Sequence, residues 1–186
     1  MPAQPVKPVV EHLLKRGRAR FFVDTCFLLN EYGLKALDEN IWTFLHSWNC
    51  PVVVPYPVAC ELEKHSKSES DQDLALNAKK VLRILSKRKE DGHVRLLGTR
   101  DEKFADQTFL EVFTRFRPKY DLLLFTNDKG LCRDLLRLNE TESTARCMNE
   151  IWVAWHTGRE LLAARHTSDL TNTPRPLSPL RYIGQC

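Results

Sequence analysis

Four short apolar runs, each followed by a carboxylate, constrain this chain more than any other feature of it. "FFV" runs into Asp24, "PVVV" (51–54) precedes Glu61, "HVRLL" (93–97) precedes Asp106, and "LLLFT" (122–126) precedes Asp128. These runs do not alternate in polarity, which is the pattern of strands buried on both faces. Between them the apolar residues fall at helical spacing: Leu34, Leu37, Ile41, Leu45 and Trp48, then Leu74, Ala78, Val81, Leu82 and Leu85, then Ala105, Phe109, Val112, Phe113 and Phe116. "VACELEKH" opens a further helix, and Pro118 closes the one before "LLLFT" by disfavouring helical geometry in Arg117. Beyond Asp128, "LCRDLLRL" predicts a helix, "ARCM" (145–148) a short strand, and "IWVAWH" with "ELLAAR" a closing helix. Strands alternating with helices predict an α/β fold, with a mainly parallel sheet of four to five strands covered on both faces.

A chain of 186 residues suits one domain. The expected division is a flexible leader over 1–19, the folded domain over 20–165, and a Pro/Ser/Thr-rich flexible tail over 166–186. No apolar run approaches the roughly 20 residues that span a bilayer, and the N-terminal stretch lacks a signal-peptide core. The expected location is therefore intracellular, cytoplasmic or nuclear, with no membrane partner. The six cysteines are scattered without C-x-x-C spacing, which predicts free thiols in a reducing compartment. A net charge of +4 admits an anionic partner such as nucleic acid. With 7 glycines and no GxGxxG, GxxxxGK or G-x-S-x-G, the sequence offers neither a phosphate-cradling loop nor a serine nucleophile elbow. Trp42, Trp48, Trp152 and Trp155 fall at helical spacings and are expected to be core or interface aromatics.

In an open parallel sheet, ligands bind outside the carboxyl ends of the strands. Asp24, Glu61, Asp106 and Asp128 are all predicted at that edge. Four carboxylates in one cleft repel one another unless a positive charge stands among them. A hard divalent cation, Mg²⁺ or Mn²⁺, matches an all-oxygen donor set, and the chemistry it serves there is hydrolysis of a phosphate ester. Taken singly, Asp24 could cap a helix, Glu61 and Asp106 could complement a helix dipole, and Asp128 with Gly130 could form a turn. Their joint placement separates the two readings.

Strand-borne "VDT" at Asp24, "ELE" at Glu61, "ADQTFLEVF" at Asp106 and "FTNDKGL" at Asp128 resemble the PIN domain, a family of metal-dependent nucleases, over about residues 20–157. The resemblance implies a three-layer α/β/α domain that binds one or two Mg²⁺ or Mn²⁺ ions and acts as an endoribonuclease on single-stranded RNA. Asp24, Glu61, Asp106 and Asp128 would be the catalytic, metal-binding acids, with Asp101 and Glu102 close to Asp106 in sequence. Glu63, two residues beyond Glu61, falls on another helix face. Thr25, Thr126 and Asn127 would hold the acids in place. Arg18, Arg20, Lys64, Lys67, Arg100, Lys103 and Lys129 would hold the RNA backbone by neutralising phosphates.

One departure stands out. The family commonly carries Asp-Thr-Asn at its first motif, whereas this chain has "DTC", so Cys26 predicts a looser site. The alternative reading is a catalytically weak or inactive PIN-like module that binds RNA or a protein partner. An antitoxin, and a homodimer formed through the aromatics near Trp152, are the protein partners this resemblance leaves open.

Overall fold

The computed structural model describes residues 3–98, 105–140 and 149–172. In chain order, the first half comprises β1 (Gln4–Pro5), α1 (Val6–Lys15), β2 (Ala19–Val23), α2 (Thr25–Leu29) and α3 (Glu31–Ala36). A π-helical turn (Leu37–Ile41), α4 (Trp42–Ser47), β3 (Val52–Pro55), α5 (Tyr56–His65) and α6 (Gln72–Glu90) follow. The second half comprises β4 (Val94–Leu97), α7 (Ala105–Phe116), β5 (Asp121–Phe125), α8 (Lys129–Glu140), β6 (Ile151–His156), β7 (Leu161–Ala164) and a 3₁₀ turn (Thr167–Asn172).

The seven strands among the described residues form one sheet in the order β1-β7-β6-β5-β2-β3-β4. The five from β6 to β4 run parallel, four of them (β2, β3, β4 and β5) being the apolar runs expected as strands, while β7 and β1 add an antiparallel flank. Every residue of β5 is buried although successive side chains point to opposite faces, so helices must cover both sides of the sheet centre. This is the α/β/α arrangement. Phe21, Phe22, Phe27, Phe109, Phe113 and Phe125 supply the largest fully buried side chains besides Trp42. Phe22 meets Phe113 at a tilted 5.2 Å between ring centroids, a contact worth about 0.5–1.5 kcal/mol beyond its buried area.

Three expectations are corrected. "IWVAWH" and "LLAA" are strands rather than a helix. Ile151 to Ala154 pair in register with Leu122 to Phe125, and that ladder overrides the helical spacing of Trp152 and Trp155. Trp152 is consequently buried, its indole N–H donating to Glu150 at 2.9 Å, and is no exposed dimer contact. Within the leader, α1 buries Val6, Val9, Val10, Leu13 and Leu14, one stripe at i, i+3, i+4, i+7 and i+8, so this stretch is packed rather than flexible. Fully burying each such side chain contributes about 1.5–3 kcal/mol. The helix expected from Leu34 to Trp48 runs without a break from Glu31 to Ser47 as α3, the π turn and α4, and Trp48 just beyond its end is 47% exposed. The strand expected at 145–148 and the tail beyond residue 172 lie outside the described residues. Among the described residues, no helix is long and apolar enough to cross a membrane.

Close packing of α3 on α2 has a local cause. A Cβ at Gly33 would stand 2.5 Å from the Phe27 carbonyl oxygen, so only glycine fits there. The Gly33 amide also donates to Asn30 Oδ1 at 3.0 Å, capping α3.

Candidate active site

Connections from β2 lead outward through β3 to β4, and the chain then returns to the other side of β2 as β5 before continuing to β6. The order of strands therefore reverses between β2 and β5, and a crevice opens at the carboxyl ends of strands where this happens. Asp24 leaves β2 at that point, and Thr126, Asn127 and Asp128 leave β5. A backbone bond from the Asp24 amide to the Phe125 carbonyl, 3.0 Å, ties the two exits together.

Asp24 caps α2 and is 4% exposed. Its Oδ1 accepts from the Thr25 amide at 2.6 Å, and its Oδ2 accepts from the Thr126 hydroxyl at 2.9 Å and from the Cys26 thiol at 2.8 Å. The Thr25 hydroxyl donates to Glu61 Oε2 at 2.5 Å, bringing α5 to the cluster. Thr126 acts in both directions, since its oxygen also accepts from the Asp128 amide at 3.0 Å. One hydroxyl thus fixes the position of two acids. Asp128 is exposed, and its Oδ1 accepts from the Leu131 amide at 2.9 Å in the first turn of α8. Asn127 turns aside to accept from the His156 amide at 3.0 Å, anchoring the end of β6.

Cys26 does not loosen this arrangement. Besides its bond to Asp24, its sulfur lies 3.2 Å from the Thr126 hydroxyl and accepts from the Asn127 amide at 3.3 Å. Burial, and then the charge of Asp24, push the thiol pKa well above its ordinary value, which keeps the proton in place as a donor.

Asp106 stands at the second position of α7, the helix after β4 that packs against α5, but its side chain lies outside the described residues, as do Asp101, Glu102, Arg100 and Lys103. Lys64 in α5, Lys67 just beyond it and Lys129 at the start of α8 are exposed on elements that carry the acids. Arg18 and Arg20 are not brought to the site. Both lie at the amino end of β2, and at about 3.3 Å per residue Arg20 sits roughly 13 Å back from Asp24. The Arg20 guanidinium instead stacks over Tyr120 at 4.4 Å.

A family profile described as the PIN domain matches residues 21–139. The chain belongs to the PIN domain family. Among solved structures, that of the PIN domain endonuclease Utp24 is similar at a TM-score of 0.52 and 16% identity, covering 78% of this chain and 91% of that one. At that identity the likeness speaks for the fold. No curated protein matches by sequence.

PIN domains form a nuclease-type family that is generally divalent-metal dependent. The donor chemistry of this PIN domain fits a hard cation: Asp24, Glu61 and Asp128 offer carboxylate oxygens, and Thr25 and Thr126 hydroxyls orient them. Among the described residues, no three His, Cys, Asp or Glu side chains are grouped closely enough to hold one ion. The Asp106 carboxylate is not among these described side chains. Sequence reasoning missed two residues at this edge, Tyr32 and His156, whose rings stack at 5.5 Å with an interplanar angle of 7°. The signal for His156 is the strand "IWVAWH", whose register with β5 places its terminal histidine beside Asn127.

Proposed function

We propose that this PIN domain is a metal-dependent endoribonuclease that hydrolyses phosphodiester bonds of single-stranded RNA. The observation that carries the reading is the single Thr126 hydroxyl linking Asp24 to Asp128 at the β2/β5 crevice, with Glu61 joined to the same cluster through Thr25. Asp24, Glu61, Asp128 and, from α7, Asp106 would hold one or two Mg²⁺ or Mn²⁺ ions. Such an ion supplies polarisation of the phosphodiester and a water of lowered pKa. The chain's own part is positional. Thr25, Cys26 and Thr126 direct the Asp24 carboxylate, Asn127 pins the β5 exit to β6, and Lys64, Lys67 and Lys129 would neutralise phosphates of the strand without reading its sequence. Incubation of the full chain with end-labelled single-stranded RNA and Mn²⁺ should give internal cleavage that Asp24→Asn and Asp128→Asn abolish. Undiminished cleavage by either variant sinks the assignment.

A second reading, a binding module without catalysis, draws on the scarcity of free lone pairs at Asp24, where both oxygens already accept hydrogen bonds. Calorimetry separates the two readings. Uptake of Mn²⁺ that Asp24→Asn abolishes favours the nuclease, and absence of uptake by the wild type favours the module.

A further inference from the structure

The Tyr32–His156 pair lies outside the acid cluster yet is built onto it. His156 ends β6, its amide donates to Asn127 Oδ1, and Asn127 immediately precedes Asp128. The imidazole is further oriented by the Gly158 amide, which donates to its Nδ1 at 2.8 Å. Tyr32 faces this ring from α3, and its backbone is held on both sides: Asn30 caps the helix through the Gly33 amide, and Gly33 sits too close to Phe27 to shift inward. Despite the stack, Tyr32 remains 54% exposed, one of three large hydrophobic side chains that are exposed among the described residues. A planar aromatic surface is thus fixed at the rim of the crevice, while core packing uses little of it.

We infer that Tyr32, braced by His156, is a stacking platform that receives one nucleobase of the single-stranded substrate beside the scissile phosphate. The inference rests on the reading of this site as acting on RNA. Bases of a single strand expose their π-faces, and an aromatic ring accepts any of them, so such a platform fixes register without reading sequence. Lys129, exposed at the start of α8 directly after Asp128, would meet a neighbouring phosphate of the same strand. Tyr32 is a positioning residue here, since the acids carry the chemistry.

The test is binding in the absence of metal, which separates it from cleavage. A fluorescent single-stranded oligoribonucleotide is titrated with the full chain in EDTA, comparing wild type with Tyr32→Phe, Tyr32→Ala and Tyr32→Leu. Tyr32→Phe should bind as wild type, and Tyr32→Ala should bind about tenfold more weakly, in the range for loss of one stacked base. Tyr32→Leu, apolar but not planar, should resemble Tyr32→Ala. An abasic scan of the oligonucleotide should show one position whose loss weakens wild type but not Tyr32→Ala. Equal affinity of wild type and Tyr32→Ala, full rescue by leucine, or no binding of RNA by wild type overturns the inference. Absence of Mn²⁺-dependent cleavage by wild type, measured separately, overturns the nuclease reading and leaves the binding result standing.

Discussion

The β2/β5 strand pair carries a buried carboxylate at each of its ends, and the two are treated differently. At the amino end of β5, Asp121 is fully buried, meets the Arg16 guanidinium at 2.8 Å and accepts from the Glu150 amide at 2.8 Å. The Asp121 hydrogen bond raises the Arg16 pKa against the opposing effect of burial. At the carboxyl end, the donors described at Asp24 are an amide, a hydroxyl and a thiol, and two further acids stand nearby. Asp121 is stabilised by charge within the protein and serves the fold. Asp24 accepts from dipoles on three neighbouring residues, at the sheet edge where Thr25 and Thr126 also bring Glu61 and Asp128.

Substitutions at the two ends should therefore separate activity from stability. Asp24→Asn should lower RNA cleavage by about 100-fold or more while changing urea-unfolding stability by about 1 kcal/mol, since even residues that only orient metal ligands are worth 10–100-fold. The comparison breaks if the variant unfolds readily yet cleaves normally. Asp121→Asn should do the reverse. It removes the charge of a buried carboxylate paired with the part-exposed Arg16, and about 2 kcal/mol of stability should go with it, with cleavage per folded molecule preserved. Thr126→Val sharpens the comparison, because it deletes the hydroxyl shared by Asp24 and Asp128 and keeps the shape. About tenfold lower cleavage is expected, with roughly 1 kcal/mol lost in the same unfolding experiment.

The smallest effect concerns two histidines, His93 at the amino end of β4 and His156 at the carboxyl end of β6. Burial lowers the pKa of each, with His46 and Arg88 adding to the effect at His93. Folded values below the unfolded 6.5 mean that the unfolded chain takes up protons first on acidification. The contribution is thus present above about pH 6.5 and is lost as pH falls through the folded values. Stability measured from pH 7 to about 6 should decline by less than about 1 kcal/mol, and His93→Gln and His156→Gln should each flatten part of that slope.

The parallel half of the sheet was legible because burial on both faces leaves a direct trace, an unbroken apolar run, as in "LLLF" and "FFV". "IWVAWH" and "LLAA" were not legible. In "LLAA" alanine and leucine favour helices, and in "IWVAWH" the i, i+3 spacing of Trp152 and Trp155 masks a strand-favouring composition, whereas pairing with β5 and with each other makes both segments strands. The acids were legible in kind for the same reason as the strands: each follows an apolar run or sits in the helix after one. Arg18 and Arg20 misled because proximity to Asp24 in sequence is distance along an extended strand.

By itself, the sequence determined the α/β class, the edge at which Asp24, Glu61 and Asp128 emerge, and the family to which the chain belongs. These depend on local pattern and chain direction. Tertiary structure alone decided that Cys26 is a donor within the cluster, that Thr126 joins two acids, and that Tyr32 lies on His156. Each of these depends on groups far apart in the chain, Cys26 with Thr126 and Tyr32 with His156, and no local periodicity records which distant partner a side chain will meet.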